Sequence, residues 1–224
     1  MRRVLCVVAL VSAAAIWPLA LGAQDASTVY VVSYIEAVPA TKGQVAMLLK
    51  QLADASRTNG AIRAEALART TEPNQFLLLE IWKDQQALDG HAAAAQTKRL
   101  GEQLAPLLLA PIDQRVCVAT MVAPLREGGG TVYVVTHIDV PGTSRDAALR
   151  LMQPFIGEGR KESGNLRFDI VHQKDRTNHF TAIEVWTDQK SVDGHQQASQ
   201  TRAFRAGITP LLGALYDRRL YKPL

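Results

Sequence analysis

The sequence predicts an α+β fold built twice, as two β-α-β-β-α-β units packed sheet to sheet within one chain. Three observations predict it. Residues 80–97, E-I-W-K-D-Q-Q-A-L-D-G-H-A-A-A-A-Q-T, return without a gap 104 positions later as residues 184–201, E-V-W-T-D-Q-K-S-V-D-G-H-Q-Q-A-S-Q-T. Around that stretch, each copy alternates apolar runs of strand length with segments of helical period. The central runs are apolar on both faces, so each sheet needs cover on both sides, while the helices of one such unit cover only one. A twin sheet supplies the other cover.

The elements follow in order. Arg2 and Arg3, the apolar run Leu5 to Trp17 and the small residues Leu21-Gly22-Ala23 read as an export signal over residues 1–23, with a retained N-terminal anchor as the alternative. The run is shorter than the roughly 20 residues of a membrane span. The mature chain is expected to be periplasmic or secreted. A first domain is expected over 29–122, a Pro- and Gly-containing linker over 123–130 and a second domain over 131–224.

Each domain opens on a β-branched strand, Val29 to Ile35 or Val132 to Ile138, closed by Pro39 or Pro141. An amphipathic helix follows with Val45, Leu48, Leu49 and Leu52 on one face. Its counterpart carries Leu149, Met152 and Phe155, with Pro154 and Gly157 making it less regular. A glycine turn leads to a second strand, Ile62 to Ala68 or Leu166 to His172, and a polar hairpin at 72–74 or 176–178 leads to the central strand, Phe76 to Trp82 or Phe180 to Trp186. Asp84 and Asp188 stand where an N-cap would start the next helix. On that helix Leu88, His91, Ala92 and Ala95 share a face, as do Val192, His195, Gln196 and Ser199. Pro106 and Pro210 end the helical region, and a last strand runs over Val116 to Val122 or near Arg218 to Tyr221. The order in each copy is the ferredoxin-like one.

Composition excludes more than it suggests. The formal charge of +4 falls to +2 once Arg2 and Arg3 are removed, and the basic residues are scattered without interleaved aromatics, so nucleic acid is not an expected partner. Cys117 is the one cysteine left after the signal and lies in a Val-Cys-Val run, as a buried inert thiol would. The five histidines, His91, His137, His172, His179 and His195, show no H-x-x-x-H spacing, and no metal is expected. No phosphate loop and no G-x-S-x-G elbow is present.

The Glu-x-Trp-x-Asp strand ends, the Asp-Gly-His helices and the Gly164-Asn-Leu-Arg-Phe168 strand start resemble the antibiotic biosynthesis monooxygenase type of domain, part of the dimeric α/β-barrel group. The resemblance covers about residues 29–122 and 131–221, most of the mature chain. It implies an intrachain pseudo-dimer, with higher homo-oligomers allowed. It also implies a cofactor-independent oxygenase of quinols or phenolic molecules using O2, although the group also contains haem-degrading members and members with no assigned reaction. Family patterns often carry a second histidine five residues after the first. Gln96 and Gln200 stand there instead, a departure that bears on any mechanism needing two histidines per site.

The candidate catalytic residues are His91 and His195 with Glu80 and Glu184. An imidazole that titrates near neutrality suits a base for an acidic phenol. The alternative is that each histidine simply ties helix to strand through its glutamate. Trp82, Trp186, Tyr34 and His137 are the candidate substrate-binding residues. One cavity per copy is expected, the second more polar because His137 replaces Tyr34. If His137 faces the pocket of Glu184 and His195, a metal site confined to the second copy becomes conceivable. A non-catalytic exported protein that binds a small aromatic or hydrophobic ligand, or haem, is the second reading. Arg63 and Arg167 recur and read as solvated strand residues.

Overall fold

The computed structural model describes residues 27–125 and 130–224. The expected export signal at 1–23 and the centre of the expected linker lie outside the described residues. The first repeat forms β1 (Val29–Glu36), α1 (Lys42–Thr58), β2 (Ala61–Arg69), β3 (Gln75–Trp82), α2 (Gln85–Ala93), α3 (Ala95–Leu104) and β4 (Asp113–Met121). The second forms β5 (Val132–Asp139), α4 (Arg145–Gly159), β6 (Asn165–Gln173), β7 (Arg176–Trp186), α5 (Gln189–Gln197), α6 (Ser199–Ile208) and β8 (Asp217–Pro223). Gly60 and Gly164 hold positive φ values of 96° and 86° at the turns into β2 and β6, which explains a glycine at both places.

Three local expectations change. The histidine-bearing helix is two helices in each repeat, broken at Ala94 and Ala198, whose backbones are extended. Ala92 and Ala95 therefore lie exposed, and the inward stripe passes from His91 to Leu100 and Leu104 on α3. Residues 176–178 belong to β7 and not to a hairpin loop. In the first repeat Pro73, which has no N–H to give a ladder, keeps the corresponding loop open. Helix α4 runs on through Pro154.

All eight strands join one closed barrel in the order β1-β3-β2-β8-β5-β7-β6-β4. The two sheets thus do more than face each other. They are hydrogen-bonded edge to edge, β2 to β8 and β4 to β6, which leaves no free strand edge among the described residues. The inward rows, among them Tyr30, Val32, Leu79, Ile81, Tyr133, Val135, Ile183 and Val185, pack as one core shared by both repeats. The outward rows pack under the helices as separate cores. That is why the central strands are apolar on both faces. Arg167 corrects the solvated reading: it is buried and held 2.6 Å from Asp169. Among the described residues, no helix is long and apolar enough to cross a membrane.

Candidate active site

Each histidine is aimed by the cap of its own helix. Asp84 follows β3 directly and accepts the backbone N–H of Ala87 at 2.7 Å; Asp188 accepts that of Ser191 at 2.8 Å. A helix started there turns about twice before its seventh residue, and the imidazole of His91 or His195 then faces back onto the sheet. The outward row of β3 presents Leu78, Glu80 and Trp82 to it. The His91 ring lies 4.9 Å from the Trp82 ring and the His195 ring 4.9 Å from the Trp186 ring, at nearly equal tilts. Both trios predicted from the sequence are thus brought together between sheet and helix.

Beyond that shared frame the repeats differ. In the first, Ser56 on α1 stands between the two groups, with its Oγ 2.5 Å from Glu80 Oε1 and 3.4 Å from His91 Nε2. The Ser56 hydroxyl also lies 2.9 Å from the Leu52 carbonyl. One proton cannot serve both oxygens. Both contacts are satisfied when Glu80 carries a proton and donates to Ser56 while Ser56 donates to Leu52. Burial acts in the same direction, pushing the Glu80 carboxyl above its ordinary value despite the hydroxyl beside it. Burial also lowers the His91 imidazole, favouring its neutral form. The Asn59 amide lies 3.0 Å from His91 Nδ1 and orients the ring.

In the second repeat Gly159 occupies the place of Ser56, and a Cβ there would come within 2.7 Å of the Phe168 ring. Glu184 turns instead to Trp186, whose Nε1 donates to it at 3.0 Å, and stands 3.7 Å from His195 Nε2. Burial raises the Glu184 carboxyl, opposed by the charges of His195 and Arg218. His195 Nδ1 is 2.7 Å from Glu162, which also accepts from Gln200. Trp82, by contrast, has its Nε1 buried without a partner.

Among the described residues, His91 opens onto a cavity and the His195 side chain is sealed. About 320 Å³ lies between β1, β3, α1 and α3, walled by Leu49, Leu52, Leu78 and Leu104, with Glu80 and His91 at its polar side. Ser33, buried with an unpartnered hydroxyl, also lines it. Trp82 does not; it is fully buried behind the imidazole. In the second repeat, Phe155 and Phe168 pack on His195 with centroids 5.5 and 5.7 Å away, and Phe204 stacks on Phe155 at 4.1 Å. Ala64 stands opposite Glu80 where Phe168 stands opposite Glu184, and Leu100 stands where the repeat places Phe204. The His195 side chain has no exposed surface. The expectation of a second, more polar pocket is thus corrected: three phenyl rings occupy that space.

Tyr34 and His137 are corrected as well. They pair across the ladder with Leu77 and Thr181, not with the row of Glu80 or Glu184, and so face the barrel interior. There Tyr34 is flanked by Arg115 and Arg219, and burial pushes its phenol up. Cys117 lies in the barrel core, its thiol pushed up to about 12 by burial. Ser56, Asn59 and Ser33 are the site residues that sequence reading missed. Ser56 falls on the same helical face as Leu49 and Leu52, and a polar residue on a buried stripe is the signal that could have found it.

Comparison with known proteins matches the sequence to a family. The family model for antibiotic biosynthesis monooxygenases matches residues 28–103 and 131–207. A solved structure of a candidate monooxygenase from Fusobacterium nucleatum subsp. nucleatum superposes with a TM-score of 0.79 at 15% identity, covering 89% of this chain and 93% of that one. An anthrone oxidase-like protein superposes at 0.71 and 12% identity, covering 88% and 92%. At such identities the likeness is one of fold. An uncharacterized protein of Synechocystis is 25% identical over 91 residues, 41% of this chain; the match spans 62% of that curated relative's length.

Proposed function

Because the chain belongs to the antibiotic biosynthesis monooxygenase family, we propose that its first repeat oxygenates a small phenolic or quinol-type aromatic, with O2 as oxidant and His91 as base. The observation that carries this reading is a neutral-favoured imidazole opening onto a mostly apolar cavity of about 320 Å³ beside a carboxyl that favours its protonated form. Cavities of roughly 300–1,000 Å³ lined mainly by apolar groups suit small organic ligands. Leu49, Leu52 and Leu78 would hold the ring system flat, and the unpartnered hydroxyl of Ser33 would meet a ring oxygen.

The chemistry follows from these groups. His91 takes the phenolic proton, and the electron-rich phenolate passes one electron to O2. The substrate radical and superoxide combine at an activated ring-system CH2, forming a carbon–oxygen bond as a C–H proton is lost. Protonation of the peroxide by the imidazolium or Glu80, with loss of the second hydrogen, releases water and leaves a carbonyl. In sum, CH2 and O2 become C=O and H2O, so the substrate supplies every electron. Burial raises the Glu80 carboxyl, which reduces the negative charge set against the phenolate. With the export signal expected at residues 1–23, the setting of this reaction belongs to the same proposal: outside the cytoplasm.

Oxygen uptake tests it. Purified protein, dialysed against chelator, is expected to consume O2 with anthrone-type phenols that carry an activated ring CH2. His91→Ala should slow turnover by roughly 10²–10⁴, the size of a general-base contribution, while His195→Ala leaves turnover in place. Binding of the aromatic without O2 uptake would overturn the proposal in favour of a carrier. Equal uptake by a folded His91→Ala variant would overturn the assignment of the base.

A further inference from the structure

The barrel mouth carries a second cluster of chemistry unrelated to the helix-side cavity. Strand alternation sets His137 and Asp139, two apart on β5, on the inward row, and the ladder places His179 of β7 directly opposite Asp139. His137 Nε2 and His179 Nδ1 each lie 2.8 Å from the same oxygen, Asp139 Oδ1. All three donor atoms fall within 4.8 Å of one another. They line a polar cavity of about 520 Å³ open at the end of the barrel.

A His-Asp-His hydrogen-bond chain would explain such proximity, but the angles do not make one. Asp139 Oδ1 is buried and has no hydrogen-bond partner although two ring nitrogens stand 2.8 Å away. Ligand atoms about 2.0–2.1 Å from a tetrahedral zinc-sized ion stand about 3.3–3.4 Å apart, so each 2.8 Å nitrogen–oxygen spacing opens by about half an ångström to admit one. We propose that His137, Asp139 and His179 bind one divalent first-row transition ion at the barrel mouth.

Two imidazoles and one carboxylate are a donor set for Zn²⁺, Fe²⁺ and Co²⁺, and not for Mg²⁺ or Ca²⁺, which take oxygen. Three protein donors leave positions open toward the cavity for water. The surroundings carry both signs: Arg115 and Arg176 face the same cavity, as do Asp113 and Asp175, and Arg115 is paired with Asp113 at 2.7 Å. The first repeat has Tyr34, Glu36 and Gln75 at these places, with no imidazole among them, and there Gln75 bonds Glu36 and Arg69. The site therefore belongs to the second repeat alone.

Untagged, metal-depleted protein titrated with Zn²⁺ by calorimetry is expected to bind one equivalent per chain, and its melting temperature to rise with the ion. Asp139→Asn and His179→Gln should each weaken binding at least about tenfold, since even a residue behind a ligand is worth about 10–100-fold. His172→Gln, a histidine of the same repeat bonded to Thr120, should leave affinity unchanged. The unsubstituted chain loaded with Co²⁺ should show paramagnetically shifted resonances from two imidazoles, a readout that stands even if a variant fails to fold. Absence of a one-equivalent isotherm, no shifted imidazole resonances, or equal weakening by His172→Gln would overturn the proposal.

Discussion

Glu80 and Glu184 occupy the same strand position, yet each is satisfied differently, one by a serine hydroxyl and the other by an indole N–H and a nearby imidazole. Both are buried and both carboxyls are raised above their ordinary value. The sign of the stability effect follows. A raised folded-state pKa means the contribution is intact below the unfolded value near 4.5 and is lost as pH climbs through the folded value, because only the unfolded chain ionises freely in that window. Glu184→Gln removes the ionisation while keeping an acceptor for Trp186. The variant is expected to gain melting temperature over the parent at pH 7, and to gain less at pH 4, where both side chains are neutral. An equal difference at the two pH values, measured by calorimetry, would contradict a raised Glu184.

At the scale of elements, the contrast between the repeats lies in what α1, β2 and α3 place over the histidine, against α4, β6 and α6. Leu52, Ala64 and Leu100 leave a cavity; Phe155, Phe168 and Phe204 fill one. Leu52→Phe puts a ring into existing space, so overpacking strain should be small while the ligand is excluded. Substrate KM is expected to rise at least about tenfold, with melting temperature held or raised; unchanged KM would show that the aromatic binds elsewhere. Phe168→Ala is the opposite experiment. Removing a fully buried ring costs about 3–5 kcal/mol in such cores, and denaturant unfolding should read a loss of that order. A loss below about 1 kcal/mol would mean that this core is not held by the packing of the Phe168 ring.

For the whole molecule, barrel closure makes the repeats interdependent. The inner core draws on both, Tyr133 of the second repeat donates to Glu65 of the first at 2.6 Å, and Arg160 donates to the Met121 carbonyl across the β4–β6 seam. Separating the halves would expose an apolar inner face and two strand edges on each. Fragments 27–125 and 130–224 expressed singly are expected to aggregate, self-associate or melt without cooperativity, and to recover a cooperative transition when mixed. A monomeric, cooperatively folding single fragment would refute the argument.

Much of this was legible in the residues. The ungapped repeat, the strand and helix periods, and the capping aspartates two turns before each histidine are short-range signals, and they carry the duplicated fold and the convergence of Glu80, Trp82 and His91. Alternation along β1 also says that Tyr34 shares a face with Tyr30 and Val32. It does not say which face lies inside, because that depends on pairing register and barrel closure, which join residues far apart in the chain. So Tyr34 and His137, expected in the helix-side pockets, line the barrel instead, and His137 meets His179 only across the ladder. Whether the space beside each histidine is open or filled was equally out of reach of local pattern. Leu and Phe satisfy the same apolar period, and the difference appears only when three side chains from three elements compete for one volume. The sequence by itself determined a twice-built barrel with a histidine under each helix; tertiary packing alone decided that one of them opens to a ligand-sized cavity and the other is sealed, because packing is a property of summed volumes and not of pattern.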